Sequence, residues 1–112
     1  MNVYEFSTIG YFISHYFNWS MDYSDLENCI DDFLIRENNT KIKAFKKEIE
    51  TLYRLNSPEI FREISYNLGS RGMPVDKALD MIKLLYTKTQ EDEKSNLSAK
   101  YPPAGSTSNL EV

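Results

Sequence analysis

The chain has 112 residues, enough for one domain around one modest core and too few for two. Hydrophobic residues make up 41%, charged residues 27%, and the formal net charge is -4; this is the composition of a globular chain without the basic face that phosphate binding needs, which argues against nucleic acid as the main partner. A single cysteine, Cys29, excludes an intramolecular disulfide, and the absence of a basic-then-apolar start at Met1 to Glu5 or of any membrane-length apolar run predicts a cytoplasmic protein with no membrane association.

Residues 4 to 17 predict a first helix, with Phe6, Ile9, Ile13 and Phe17 at spacings of three and four on one face, although Gly10 weakens it and the aromatic content would also suit a strand. Asn18 to Tyr23 is a connection. Ser24 has the position of an N-cap, with Glu27 at capping-box spacing, and opens a second helix to about Arg36. Leu26, Cys29, Ile30, Phe33 and Leu34 form its apolar face, and Asp25, Glu27, Asn28, Asp31 and Asp32 its outer side. Asn39 or Thr40 caps a third helix, Lys41 to Leu55, with Ile42, Phe45, Ile49, Leu52 and Tyr53 inward and a mixed-charge outer face that includes Glu48. Ser57-Pro58 starts a fourth helix that Gly69 ends as the left-handed stop. Pro74 opens a fifth, striped by Val75, Ala78, Leu79, Ile82, Leu85 and Tyr86 and fraying near Gln90 to Lys94. Pro102-Pro103, Gly105 and the Ser/Thr/Asn cluster then read as a tail too polar to offset its ordering entropy. The expected fold is all-α: a compact single-domain bundle of about five helices over residues 1–94, followed by a flexible tail at 95–112.

The chain contains no motif of a catalytic or metal site. His15 lacks partners at helical spacing, and Cys29 lies on an apolar stripe where cysteine behaves as a small hydrophobe, so neither predicts catalysis. A calcium loop begun at Asp22 would need Gly sixth and Glu twelfth, where Glu27 and Phe33 stand. No cofactor and no metal is expected. The lysines of the third helix are interleaved with Glu48 and Glu50, which suits a solvated face better than RNA.

The acidic side of the second helix is the remaining candidate. Between Asp22 and Glu37 stand six acidic residues and one basic residue, Arg36. Such a face can simply solubilise a well-capped helix, or it can dock a basic protein, with Asp22, Asp25, Glu27, Asp31 and Asp32 supplying charge and Trp19 and Tyr23 supplying anchors where exposed. Asp22, Asp31 and Asp32 are the stronger candidates, because capping gives Asp25 and Glu27 a local role. Ile35 falls inside the acidic arc as an exposed apolar residue.

Tyr16-Phe17, Trp19, Asp22-Tyr23 and the run Asn28-Cys29-Ile30-Asp31-Asp32-Phe33 resemble a motif of small helical immunity proteins from bacterial contact-dependent growth inhibition systems. In that family an aromatic run ends in Tyr-Phe and is followed by a Trp, an Asp-Tyr pair and an acidic helix of the form Glu-x-x-Ile-x-Asp-Phe. The resemblance covers about residues 5 to 90, including the helix Lys41 to Leu55, and differs where only Asn18 separates Phe17 from Trp19. It implies a non-enzymatic protein that binds and neutralises the C-terminal toxin domain, commonly a nuclease, of a delivered effector. The alternative is a small acidic helical adaptor or regulator of another basic protein. A gene directly downstream of a large secreted effector gene would separate the two.

Overall fold

The computed structural model describes the backbone of residues 2–100 and the side chains of residues 2–92. Among these residues the chain is all-α, with helices α1 (Ser7–His15), α2 (Leu26–Arg36), α3 (Asn39–Leu55), α4 (Pro58–Gly69) and α5 (Val75–Lys100). Short 3-10 turns, Val3–Phe6 and Tyr23–Asp25, lead into α1 and α2. The first helix expected at 4 to 17 is therefore a 3-10 turn followed by a shorter α-helix. Helix α1 packs mainly on α4 and also on α3, while α5 lies against α3 and α4 and reaches α2. The backbone of α5 continues past Ser95, where the tail was expected to begin, and residues 101–112 lie outside the described residues.

Rings fill much of the core. All six phenylalanines are buried, at positions 6, 12, 17, 33, 45 and 61. Phe33 sits at the centre of one cluster, 4.2 Å from the Phe45 ring and 5.7 Å, edge-on, from Phe12. Burial of a side chain of this size is worth roughly 1.5–3 kcal/mol, so these rings carry a large share of the driving force. The expected stripes of α2 to α4 are inside, with Met73 and Met81 as additional core residues. Two stripe assignments differ. Val75 is exposed at the first position of α5, and Tyr53 is exposed at the rim, where its ring stacks on Tyr86 at 3.8 Å.

The helix ends show which local signals were decisive. Ser57 caps α4 as expected, accepting from the Ile60 amide at 3.3 Å, with Pro58 in the first turn. Helix α3 is capped by Asn38, one residue before Asn39 and two before Thr40, the expected caps; the Asn38 side chain accepts from the Lys41 amide at 2.8 Å. The left-handed stop after α4 is Ser70, with φ 56°, and not Gly69. Gly69 instead makes room for a neighbouring helix, since a Cβ there would lie 2.4 Å from Cγ2 of Ile13. Gly10 is its counterpart on α1, where a Cβ would lie 2.5 Å from Cβ of Leu68. The two glycines permit the close crossing of α1 and α4, which explains a glycine inside a helix that it would otherwise weaken.

Glu48 was expected on the solvated side of α3 and instead reaches inward. Its Oε1 accepts from the amides of Thr8 and Ile9, each at 3.0 Å, and so satisfies two free donors in the first turn of α1. The Phe6 position that precedes α1 offers no side-chain cap of its own. Burial pushes the Glu48 carboxyl above its ordinary value, against the pull of the Thr8 and Ile9 donors.

Two substitutions test this framework by chemical denaturation. Gly10→Ala stabilises an open helix by up to about 1 kcal/mol; here overpacking against Leu68 is expected to reverse the sign and lower stability by roughly 1–3 kcal/mol. Glu48→Ala is expected to cost about 1–3 kcal/mol by leaving two amides unpaired, whereas Glu48→Gln keeps the acceptor oxygen and most of the stability.

Candidate interaction surface

The segment from Tyr16 to Arg36 carries every residue proposed for docking, and the structure separates those residues by what each one touches. Asp22 and Asp25 cap the entry to α2 in place of the expected Ser24 and Glu27: the Asp22 amide donates to Oδ2 of Asp25 at 3.3 Å, across the 3-10 turn. Ser24 is exposed, and Glu27, released from the capping role, is exposed in the first turn of α2. Asp31 is half-buried and paired with Lys88 of α5 at 2.9 Å, with Glu27 and Glu91 near enough to help hold the Lys88 amine above its ordinary pKa. Asp32 is exposed. The exposed acidity of the face therefore lies with Asp22, Glu27 and Asp32.

The two proposed anchors also part company. Trp19 is 77% exposed, at the outer end of the loop between α1 and α2. Tyr23 is half-buried and faces inward, 5.6 Å and edge-on to Phe17, with the Arg71 guanidinium over its ring at 4.6 Å. Ile35 is 80% exposed on the outer side of α2, as its place in the acidic arc predicted. Beside it, a surface hollow of about 390 Å³ runs between α2 and α5, lined by Asp31, Leu34, Ile35, Lys88, Glu91 and Asp92.

On the other flank of α2 a hollow of about 410 Å³ brings Asp32 and Arg36 together with Tyr11, His15, Tyr16, Met21 and Cys29. His15 and Cys29 thus share a wall, but each is occupied. The His15 ring stacks on Tyr11 at 4.2 Å, with Nδ1 2.8 Å from Ser14 Oγ. Cys29 is buried in the wall, and burial, then Asp25 and Asp32, push its thiol up, against Arg71. A thiol held protonated is a poor nucleophile. Among the described residues no group of three or more His, Cys, Asp or Glu side chains is placed to hold a metal ion, and no helix is long and apolar enough to cross a membrane.

A polar cluster missed in the sequence closes this flank. Tyr16 Oη donates to Oε2 of Glu37 at 2.5 Å and Tyr11 Oη donates to the same oxygen at 3.1 Å. Lys41 lies over the Tyr11 ring at 3.9 Å. Burial and the Glu37 bond push the Tyr16 phenol up to about 12. The Tyr16 bond, followed by Tyr11 and the Lys41 charge, holds the Glu37 carboxyl below its ordinary value, against desolvation. Basic side chains of α3 are likewise engaged, Lys41 here and Lys46 with Asp92 at 2.8 Å, which removes part of the charge that an RNA site would need.

No family model, curated protein or solved structure matches the chain.

The Glu37 cluster gives a signed pH dependence. A carboxyl lowered in the folded state contributes stability that is present above its ordinary range and is lost as pH falls through the folded value. In an NMR titration Glu37 is expected to protonate below the ordinary value of a glutamate side chain, and Tyr16→Phe, which removes the largest cause, is expected to raise its midpoint. An unmoved midpoint would show that the Tyr16 bond does not tune the carboxylate.

Proposed function

We propose that this chain is an immunity protein, acting in the cytoplasm without catalysis, that binds and neutralises the C-terminal toxin domain, a nuclease, of a contact-dependent growth inhibition effector. The observation that carries this reading is the outer side of α2. There Glu27 and Asp32 are exposed, Ile35 is an exposed aliphatic side chain among them, and Trp19 and Asp22 stand exposed in the connection that leads into the helix. Solubility alone does not require two large apolar side chains at the edge of an acidic face, whereas a docking surface does: carboxylates speed and orient encounter with a cationic partner, and large side chains supply the desolvated anchors. A nuclease domain meets those terms because its substrate-binding surface must hold phosphates. The resemblance of Tyr16-Phe17, Trp19, Asp22-Tyr23 and the α2 run to the immunity family supports the same role.

Glu27, Asp32 and Asp22 lead the proposed interface. Asp25 belongs to it mainly through the cap, Asp31 through its pair with Lys88, and Tyr23 by packing beneath the loop. Glu27→Gln combined with Asp32→Lys avoids the cap and sets no new cation beside Lys88. This double variant is expected to fold normally and to weaken binding to the cognate toxin domain by at least about 2 kcal/mol, read by calorimetry. It is also expected to lose protection of cells that express that domain. Unchanged affinity would remove the acidic face from the mechanism, and an inability of the wild-type chain to bind or protect would remove the immunity role itself.

A further inference from the structure

The loop that carries Trp19 is held by a residue about fifty positions away in sequence. Arg71 belongs to the connection between α4 and α5 and is only 7% exposed. Its Nη1 donates to the carbonyl oxygens of Asn18 at 2.6 Å and Met21 at 2.9 Å, with the Phe17 oxygen at the edge of reach at 3.5 Å. The guanidinium carbon lies 4.1 Å from the centroid of the Phe17 ring and 4.6 Å from that of Tyr23. Arg71 is anchored in turn, since its amide donates to the Ser65 oxygen at 2.9 Å and its own carbonyl accepts from the Ser65 hydroxyl.

Among the described residues no carboxylate pairs with this buried cation. Burying a charge without compensation is expensive, so converging carbonyls and ring faces must take the place of a counter-ion. The backbone from Phe17 to Met21 is therefore fixed by the needs of Arg71. The turn is closed further by the Met21 amide on the Asn18 oxygen and the Ser20 amide on Asn18 Oδ1, each at 2.9 Å. Between these fixed points the chain turns Trp19 outward. A large side chain offered on an ordered turn enters a partner without the cost of ordering the loop at binding.

We infer that Trp19 is a preformed anchor for a partner that offers an apolar pocket with a basic rim, and that Arg71 is the positioning residue that keeps it preformed. The basic rim follows from the exposed carboxylates of Asp22 and Asp32 on the same segment. The identity of the partner rests on the immunity reading; the state of the loop does not.

The test has one arm on the free chain and one on the complex. In hydrogen exchange, Arg71→Met is expected to speed exchange at the Met21 amide by at least about tenfold while amides in the middle of α3, such as Leu52, keep their protection. Arg71→Lys, which retains the charge without the fork of donors, should restore part of it. In binding to the cognate toxin domain, Trp19→Ala and Arg71→Met should each weaken affinity by about tenfold or more, and the double variant should be no weaker than Trp19→Ala alone. Unchanged exchange at Met21 in both Arg71 variants overturns the positioning role. Additive losses overturn the claim that Arg71 acts through Trp19, and full affinity in Trp19→Ala overturns the anchor. If Leu52 also loses protection in Arg71→Met, the Arg71→Lys variant decides. If the wild-type chain does not bind the toxin domain, the partner assignment falls together with the immunity reading, while exchange still decides what Arg71 does.

Discussion

The close crossing of α1 and α4 is the constraint on which the rest of the molecule depends. Gly10 and Gly69 leave room for Leu68 and Ile13 where any Cβ would collide. Because the crossing sets the last turn of α4 against Gly10 and Ile13 of α1, the chain that leaves each helix enters a shared region, and two loops distant in sequence meet there. One is the connection from Phe17 to Met21 and the other is the connection that holds Arg71. The guanidinium then fixes the first loop from within, through carbonyls instead of a carboxylate. A packing choice made by two glycines thereby determines where an exposed tryptophan points. This links sequence to packing and packing to a candidate binding surface in a single chain of cause.

The acidic surface is a product of the same framework. Helix α2 buries Leu26, Cys29, Ile30 and Phe33, so its remaining positions must face water or another helix. Those near α5 meet Lys88, which claims Asp31. Those at the start are drawn into the cap, which ties Asp22 to Asp25. What is left over for a partner is narrower than the count of carboxylates suggests, and it consists of Glu27, Asp32 and the outward side of Asp22, flanked by Trp19 and Ile35. The polar cluster of Tyr11, Tyr16 and Glu37 braces the other flank of α2 against α1 and the start of α3.

The helices and most of the core were legible in the sequence because apolar spacing reports directly on burial. Phe45, Ile49 and Leu52, or Phe61 and Ile64, could hardly do anything else than face a core. The helix ends were legible only in part. Ser57-Pro58 is a strong local signal and held, while at the start of α2 the expected cap of Ser24 with Glu27 gave way to Asp22 with Asp25. Polar residues whose partners lie far away in sequence were the ones missed. Glu48 could have been suspected, since it falls three residues after Phe45 and four before Leu52, on the inward stripe of α3. Arg71 gave no such sign: it lies in a loop between Gly69 and Gly72, has no periodicity, and finds its acceptors only once α1 and α4 have crossed. Trp19 and Ile35 could be recognised as candidates for exposure, but exposure itself is a tertiary property.

The central claim is that an acidic, tryptophan-bearing surface recognises a basic toxin domain. The rate of association between the wild-type chain and the purified toxin domain proposed as its partner, followed in stopped flow through the fluorescence of the single tryptophan, tests it most directly. Raising ionic strength from about 0.01 M to about 0.15 M shortens the Debye length from roughly 30 Å to roughly 8 Å. Electrostatic steering by the Asp22, Glu27 and Asp32 face predicts that the association rate falls by about tenfold or more over this range, with a change in Trp19 emission on binding. A complex that forms at the same rate at both salt concentrations, or the absence of any complex, would contradict it.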